Sequence, residues 1–320
     1  MPMLFALVLC GCAAPEEREA VLLHAAFGDA REAVLEGRVV ESEVAGETSA
    51  QDDSRTNFRR NAALFTADEC EECPVTLALA GAPPIATTTD DEGFFRAELA
   101  PDGESLSEGW QPLVATSGDA EGAGEVLVVP SGNRLGIVSD IDDTVLVTEV
   151  GDRFRMLGNT FLKNPLQREA VPGMAALYAR TLALNPRPDA SPLFYLSSSP
   201  RELHGYLASF LARNDFPRGV LITRRLTLDA VGYRQLDAFD YKTARLVDIL
   251  ERLPDVTFVL VGDDGERDPE IYESIRRRYP ERIGAIWIRR ATPDDAAPLP
   301  EGQIELADVL AETTPDSPSP

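Results

Sequence analysis

The chain has 320 residues, a formal net charge of -24 at pH 7 and a sequence pI near 4.4. This charge excludes a general nucleic-acid binder, because such proteins hold phosphate backbones with clustered lysine and arginine side chains. The length is sufficient for a full-sized α/β domain and a smaller companion, since domains usually contain ~100–200 residues.

Residues 1–12 form a short apolar run that ends in Cys10-Gly11-Cys12. The run is too short to span a bilayer, but its length is typical of a signal-peptide core. The segment resembles the bacterial lipoprotein box, although no lysine or arginine precedes the apolar run. The resemblance implies lipidation of Cys12 and a place in the bacterial cell envelope, either lipid-anchored or exported to the periplasm.

The next segments differ in composition. Residues 13–36 are rich in alanine and glutamate and predict a tether or a short helix. Residues 37–130 contain short apolar runs separated by Gly, Pro and Asp clusters, which predicts a β-rich accessory domain, a small β-sandwich. Residues 292–320 are rich in Pro, Asp, Ser and Thr, and we expect them to be disordered.

Cys70 and Cys73 form a Cys-Glu-Glu-Cys unit within the β-rich segment. This spacing suits a short disulfide in an oxidising compartment or one half of a zinc site. The two histidines, His24 and His204, are far apart in sequence, so no second Cys/His pair completes a zinc site. The favoured interpretations are therefore a disulfide or two inert thiols.

From residue 131 to 291, apolar runs of strand length alternate with helical segments. This alternation predicts an α/β domain with a doubly wound, Rossmann-like parallel sheet and helices on both faces. The apolar runs are 135–138, 193–196, 220–222, 258–261 and 283–288.

Acidic and hydroxyl side chains follow three of these runs. Asp140 and Asp142 follow the first run, Ser197 follows the second, and Asp263 follows the fourth. Lys242, one of two lysines in the sequence, opens the helix before the fourth run. Because ligands bind at the carboxyl ends of strands in open α/β sheets, we expect these side chains to lie together.

This set of residue types is suited to phosphoryl transfer. A carboxylate can attack phosphorus when a metal ion offsets its charge, which predicts Asp140 as the nucleophile. Asp142, two residues later, can protonate the leaving oxygen and then deprotonate the attacking water. Ser197, Ser198 and Lys242 are the predicted donors to the phosphoryl oxygens.

The same carboxylates predict a magnesium site, because Mg²⁺ prefers hard oxygen ligands. The predicted ligands are Asp140, the backbone carbonyl of Asp142, and Asp263, with Asp268 as a further ligand or an orienting partner. Each motif alone is common in turns and helix starts. Their joint occurrence at strand ends, in this order, favours a functional site.

Three segments carry a resemblance to a known family. The sequences SDIDDTV at 139–145, FYLSSSPRELHGYLASFL at 194–211 and GDDGERDPEIY at 262–272 resemble the actin-patch type of phosphatidate phosphatase catalytic domain. More broadly, the residues Asp140, Asp142, Ser197, Lys242, Asp263 and Asp268 match the four motifs of the haloacid dehalogenase superfamily. Ser198 and Arg201 stand where relatives often carry other residues, which affects substrate preference rather than chemistry.

The resemblance implies a haloacid dehalogenase-like fold, magnesium, an aspartyl-phosphate on Asp140, and conversion of phosphatidate to diacylglycerol. The implied substrate lies in a membrane surface, beside which an acylated Cys12 would hold the enzyme. The segment 148–167 lies where superfamily members insert a cap over the site, and it either contacts the apolar part of the substrate or packs on the sheet. The resemblance identifies no protein partner. Two alternatives stay open: a phosphatase for a soluble phosphomonoester, and a non-catalytic envelope binding module. The second alternative is weakened because none of the catalytic carboxylates is missing.

Overall fold

The computed structural model describes residues 18–42, 68–101, 105–146, 168–225, 227–229, 232–234, 238–291 and 298–313. The predicted leader, the lipidation site Cys12 and the predicted cap at 148–167 lie outside these residues and stay predictions. No helix in the described ranges is both long and apolar enough to cross a bilayer.

The first half of the described chain forms one eight-stranded sheet. Its order is β3-β2-β1-β8-β7-β4-β5, and β6 pairs with β2. β1 and β8 run parallel, and the other described pairs are antiparallel. The strands are β1 (Arg18–Gly28), β2 (Ala33–Ser42), β3 (Asp68–Glu69), β4 (Pro74–Leu79), β5 (Ile85–Thr88), β6 (Phe94–Leu99), β7 (Gly109–Ser117) and β8 (Ala120–Val128).

The predicted tether at 13–36 is wrong for the described residues from 18 onward. These residues form β1 and the start of β2 in the sheet, and Val21, Ala26 and Leu35 are buried there. Alanine content suggested a helix or tether, but cross-strand packing of the Val and Leu side chains decides the conformation. The β-rich part therefore includes these residues, while its description as a two-layer sandwich stays a prediction.

The second half forms a six-stranded parallel sheet, which confirms the predicted α/β arrangement. Its order is β11-β10-β9-β14-β15-β16, and a separate hairpin, β12 with β13, follows β11. The order runs 3-2-1-4-5-6 in chain sequence, so it reverses between β9 and β14. The strands are β9 (Leu135–Ser139), β10 (Leu193–Pro200), β11 (Val220–Arg224), β12 (Thr227–Asp229), β13 (Gly232–Arg234), β14 (Thr257–Asp263), β15 (Ile283–Arg289) and β16 (Ile304–Glu305).

Helices cover both faces of this parallel sheet. Tyr178 of α1 and Phe210 of α2 belong to the core on one face, and Ile249 of α3 and Ile275 of α4 belong to the core on the other. The apolar strands are buried on both faces, as expected for a parallel sheet. The helices are α1 (Met174–Leu182), α2 (His204–Arg213), α3 (Ala238–Arg252), α4 (Asp268–Arg278) and α5 (Leu306–Thr313).

The predicted disordered tail at 292–320 is also wrong in part. Residues 304–313 form β16 and α5, and Leu306 and Val309 are buried against the α1 side of the sheet. The overall polar composition of the tail obscured a short amphipathic segment. That segment buries enough apolar surface to be ordered against a preformed core.

The two sheets share one apolar core. Phe27 of β1 packs edge-on against Phe194 of β10, with ring centroids 4.9 Å apart. Val34 and Leu127 from the β-rich sheet belong to the same buried cluster as strands of the parallel sheet. The two parts of the chain are therefore joined by packed side chains.

His24 and His204, the two histidines of the protein, meet at this junction with ring centroids 5.0 Å apart. Both nitrogens of His24 and Nε2 of His204 are buried without a hydrogen-bond partner among the described residues. Burial, followed by the neighbouring His204 and Arg201, lowers the pKa of His24 well below its usual value. Burial, followed by Arg201, lowers the pKa of His204 to about 4.

We therefore predict that neither imidazole of the folded protein titrates near pH 6.5, the usual value for histidine. The pKa of each imidazole is lower in the folded protein than in the unfolded chain, so the unfolded chain binds protons more readily. The free energy of unfolding therefore falls as the pH drops from about 6.5 towards about 4. The imidazole Hε1 resonances, followed by NMR against pH, check this. The control is the urea-unfolded chain, in which both histidines should titrate with their usual midpoint. The same midpoint in the folded protein would contradict the burial of His24 and His204.

Candidate active site

The site lies where the strand order of the parallel sheet reverses. Asp140 directly follows β9 and Asp263 ends the adjacent strand β14. The register pairs Ser139 with Val261, and the backbone N–H of Asp140 donates to the carbonyl of Val261 at 2.8 Å. Asp140 and Asp263 therefore lie side by side at the carboxyl edge, as the sequence predicted.

Three buried carboxylates meet at this edge. One carboxylate oxygen from each of Asp140, Asp263 and Asp268 lies within 4.8 Å of the others. All three residues are at most 1% exposed. Gly262 permits this approach, since a Cβ at its position would lie 2.3 Å from Oδ2 of Asp268.

Lys242 lies among these carboxylates. Its Nζ is 2.8 Å from Asp140 Oδ1, 2.6 Å from Asp268 Oδ1 and 2.9 Å from Glu266 Oε2. Burial alone would lower the pKa of Lys242, but Asp140, Asp268 and Glu266 together raise it well above its usual value. Lys242 is therefore a permanent cation at the centre of the cluster.

One ammonium does not neutralise this group of carboxylates. Burial raises the pKa of Asp140 well above its usual range despite Lys242. Burial and then Asp268 raise the pKa of Asp263 to about 8. Within the described residues, Oδ2 of Asp140 and Oδ2 of Asp263 are buried and have no hydrogen-bond partner.

These observations fit a divalent cation. Buried polar atoms are almost always satisfied, and the two unpartnered oxygens belong to the neighbouring strand-end carboxylates. Hard oxygen donors are the ligands that small divalent cations prefer. Added positive charge would also relieve the repulsion that raises the carboxyl pKa values. Asp140, Asp263 and Asp268 are thus able to hold a divalent metal.

Asp142 lies in the turn after β9 and faces β10. Its Oδ2 accepts hydrogen bonds from the hydroxyls of Ser197, at 3.1 Å, and Ser199, at 2.9 Å. Burial of the carboxyl raises the pKa of Asp142, although both hydroxyls oppose the shift. The Asp142 carboxyl is therefore biased towards the protonated form needed by a proton donor.

The serines near the end of β10 make different contacts. Ser197 is bound to Asp142 and also accepts the backbone N–H of Ser199 at 2.9 Å. The hydroxyl of Ser198 is buried without a partner among the described residues. Ser198 thus retains hydrogen-bonding capacity, while Ser197 is already engaged by the acid.

Two functional contacts were missed from the sequence. Ser199 was not assigned to the site from the sequence. It could have been assigned, because side chains two residues apart on a strand share a face and Ser197 was already assigned. Glu266 lies in the acidic turn after β14, and only its pairing with Lys242 distinguishes it from an exposed turn residue. Its assignment required the three-dimensional position of Lys242.

Hydrogen bonds from buried hydroxyl groups fix the backbone of the turn after β9. The hydroxyl of Ser139 donates to the backbone carbonyl of Asp140 at 2.6 Å and lies 2.6 Å from the hydroxyl of Tyr178. Asp143 adopts a positive φ of 55°, and Arg289 donates to its backbone carbonyl. The backbone that carries Asp140 and Asp142 is therefore fixed on both sides.

Cys70 and Cys73 belong to the β-rich sheet and not to the carboxylate cluster. The structure joins them by a disulfide across the turn between β3 and β4. Among the described residues, the cysteines belong to no cluster of potential metal ligands. The structure therefore contains the predicted disulfide rather than half of a zinc site.

Comparisons with known proteins agree with the position of the site. The family described as "Phosphatidate phosphatase APP1, catalytic domain" matches residues 135–290, the segment that contains the parallel sheet through β15. The phosphatidate phosphatase APP1 of Saccharomyces cerevisiae is 32% identical over 156 residues, which cover 48% of this chain and 26% of that protein. An uncharacterised protein of Schizosaccharomyces pombe is 30% identical over 194 residues, which cover 58% of this chain and 31% of its own length.

The chain thus spans about a quarter to a third of the length of these fungal relatives. Among solved structures, a carbohydrate acetylesterase from Xanthomonas citri matches with a TM-score of 0.30 and 10% identity, covering 84% of this chain and 60% of that one. This likeness is too weak to support an argument about fold or function.

We predict that a divalent cation stabilises the folded protein through Asp263. In the wild type, Mg²⁺ at a hundredfold excess over its Kd should raise the free energy of unfolding by about 2.7 kcal/mol. In Asp263→Asn this gain should be largely lost. Urea unfolding with and without Mg²⁺ measures both.

The control variant is Asp264→Asn, which removes a neighbouring carboxylate of the same turn. Asp264 accepts hydrogen bonds from Arg290 and from the backbone N–H of Ala291, so its carboxylate is directed away from the cluster. Its response to Mg²⁺ should equal that of the wild type. An equal loss in both variants, or no effect of Mg²⁺ on the wild type, would rule out the assigned ligands.

Proposed function

We propose that the protein is a magnesium-dependent phosphatidate phosphatase with a haloacid dehalogenase-like fold, because residues 135–290 match the family of the phosphatidate phosphatase APP1 catalytic domain. The observation that carries the proposal is the position of two carboxyl groups two residues apart: Asp140, directly after β9, and Asp142, whose pKa is raised. One group is suited to attack and the other to protonate.

In the first step, a carboxylate oxygen of Asp140 attacks the phosphorus of the substrate. The bond from phosphorus to the alcohol oxygen breaks, and Asp142 donates its proton to that oxygen. The products of this step are an aspartyl-phosphate on Asp140, a free alcohol and an ionised Asp142. The raised pKa of Asp142 supports its protonated starting state.

In the second step, the ionised Asp142 accepts a proton from water as that water attacks the phosphorus. The bond between phosphorus and the Asp140 oxygen breaks, so Asp140 is regenerated and inorganic phosphate leaves. Ser197 and Ser199 hold the Asp142 carboxyl in both steps through their hydroxyl donors. Asp142 is therefore ready for a second cycle.

Charge compensation comes from several groups. Lys242 pairs with Asp140 and fixes the orientation of its carboxylate. Ser198 offers a buried hydroxyl to the phosphoryl oxygens. Asp140, Asp263 and the carbonyl of Asp142, with Asp268 as a further ligand, would hold magnesium, which would supply positive charge to offset the nucleophile and the phosphoryl group.

A second candidate function, hydrolysis of a soluble phosphomonoester, is favoured by one observation. The net charge of -24 opposes approach to a membrane surface that is itself rich in anionic phosphatidate. The same residues would perform the chemistry in both cases. The two candidates therefore differ in the substrate and not in the mechanism.

We predict that the wild type, with Mg²⁺, hydrolyses phosphatidate in mixed micelles with a kcat/KM at least about a hundredfold above that for small soluble phosphomonoesters. Phosphate release measures both. Similar values for the two substrates would favour the soluble alternative, and no turnover of either would reject the phosphatase. Asp140→Asn should abolish turnover, whereas Asp264→Asn should retain it because its carboxylate is paired with Arg290.

A further inference from the structure

We infer that Glu36, a residue of the β-rich sheet, is a positioning residue for the phosphatase site through its contacts with Arg201 and Arg245. This inference rests on the proposed function and assigns a role to the β-rich sheet, which contributes no residue to the carboxylate cluster. Glu36 is 3% exposed and lies on β2. Its carboxylate therefore acts within the junction between the two parts of the chain.

The first contact reaches the turn that follows the serines of β10. Arg201 donates from Nη2 to Glu36 Oε2 at 2.5 Å and from Nε to the carbonyl of Thr223 at 3.3 Å. Arg201 is 7% exposed and follows Ser199 by two residues. The Glu36 carboxylate thus holds the short helical turn Arg201–Leu203, which directly continues the strand that carries Ser197 and Ser199.

The second contact reaches the helix that carries Lys242. Arg245 donates from Nη1 to Glu36 Oε1 at 2.7 Å and from Nη2 to Oε2 at 3.2 Å. Arg245 lies three residues after Lys242 on α3, and residues three apart on a helix are neighbours on its surface. One carboxylate therefore contacts both the segment that follows the active-site serines and the helix that carries Lys242.

The electrostatics of Glu36 are consistent with a permanent ionic contact. Burial would raise the pKa of Glu36, but Arg245 and Arg201 outweigh it and lower the pKa to about 2. Arg96 also donates to Oε1 of Glu36 from the neighbouring strand β6. Glu36 is thus ionised across the physiological range.

A buried ion cluster is a poor source of stability, because desolvation can exceed the Coulombic gain. Well-packed apolar side chains would join the two parts of the chain equally well. The contacts of Glu36 are therefore better explained by the fixed geometry that they impose on Arg201 and Arg245. Small displacements of catalytic groups reduce rates sharply.

The test compares Glu36→Gln with a matched control, Glu98→Gln. Glu98 is also a carboxylate of the β-rich sheet and also contacts an arginine of α3, but that arginine is Arg252, ten residues beyond Lys242. Both variants are first checked for cooperative thermal unfolding. We then measure kcat/KM with the substrate that the wild type cleaves best. Inhibition by inorganic phosphate is measured as well, and both assays contain Mg²⁺.

Folded Glu36→Gln should show a kcat/KM about tenfold to about a hundredfold below the wild type and weaker inhibition by phosphate. Glu98→Gln should stay within about twofold of the wild type in both measurements. A folded Glu36→Gln with wild-type kinetics would overturn the inference while leaving the proposed function intact. A wild type that cleaves no phosphoester would instead remove the proposed function, and this inference with it.

If Glu36→Gln does not fold, Arg245→Gln provides the test, because Glu36 then remains paired with Arg201 and Arg96. Loss of this contact should lower kcat/KM by at least about fivefold. Unchanged kinetics in folded Arg245→Gln would overturn the inference.

Discussion

The burial of several carboxylates around one ammonium is the constraint on which the rest of the site depends. Asp140, Asp268 and Glu266 share Lys242, and Asp263 lies beside them without an ion pair to a cationic side chain of the described residues. Desolvation makes such an arrangement unfavourable unless more positive charge is bound. The same unfavourable balance favours the binding of a cation beside Asp140 and Asp263. The buried carboxylates therefore lower the stability of the fold at the edge of the sheet where the proposed reaction takes place.

The fold supports this constraint from several directions. The reversal of strand order between β9 and β14 brings the two acidic strand ends together. The β10 serines contact the acid from one side, and α3 supplies Lys242 from the other. The β-rich sheet adds the Glu36 contacts behind both segments. A catalytic sheet without these contacts would hold the same residues less firmly.

Much of the site could be predicted from sequence because strand ends in a parallel sheet converge at one edge. Asp140, Asp263 and Ser197 needed only their positions after apolar runs. Glu36 and Glu266 could not be predicted, because their partners are distant in sequence or distinguished only by folding. The prediction for 18–36 was wrong because alanine and glutamate content indicated a tether or helix, and that for 304–313 because the tail is polar overall. The structure of both segments depends on packing against the rest of the chain. Local composition does not contain that information.

In the proposed reaction, Asp140 itself accepts the phosphoryl group. Its most direct test is to mix the protein and Mg²⁺ with phosphatidate labelled in its phosphate, quench with acid during turnover, and map the label to peptides. We expect the label on the peptide that contains Asp140, and no labelled peptide from Asp140→Asn. Turnover with the label on a serine peptide, or turnover retained by Asp140→Asn, would contradict the account.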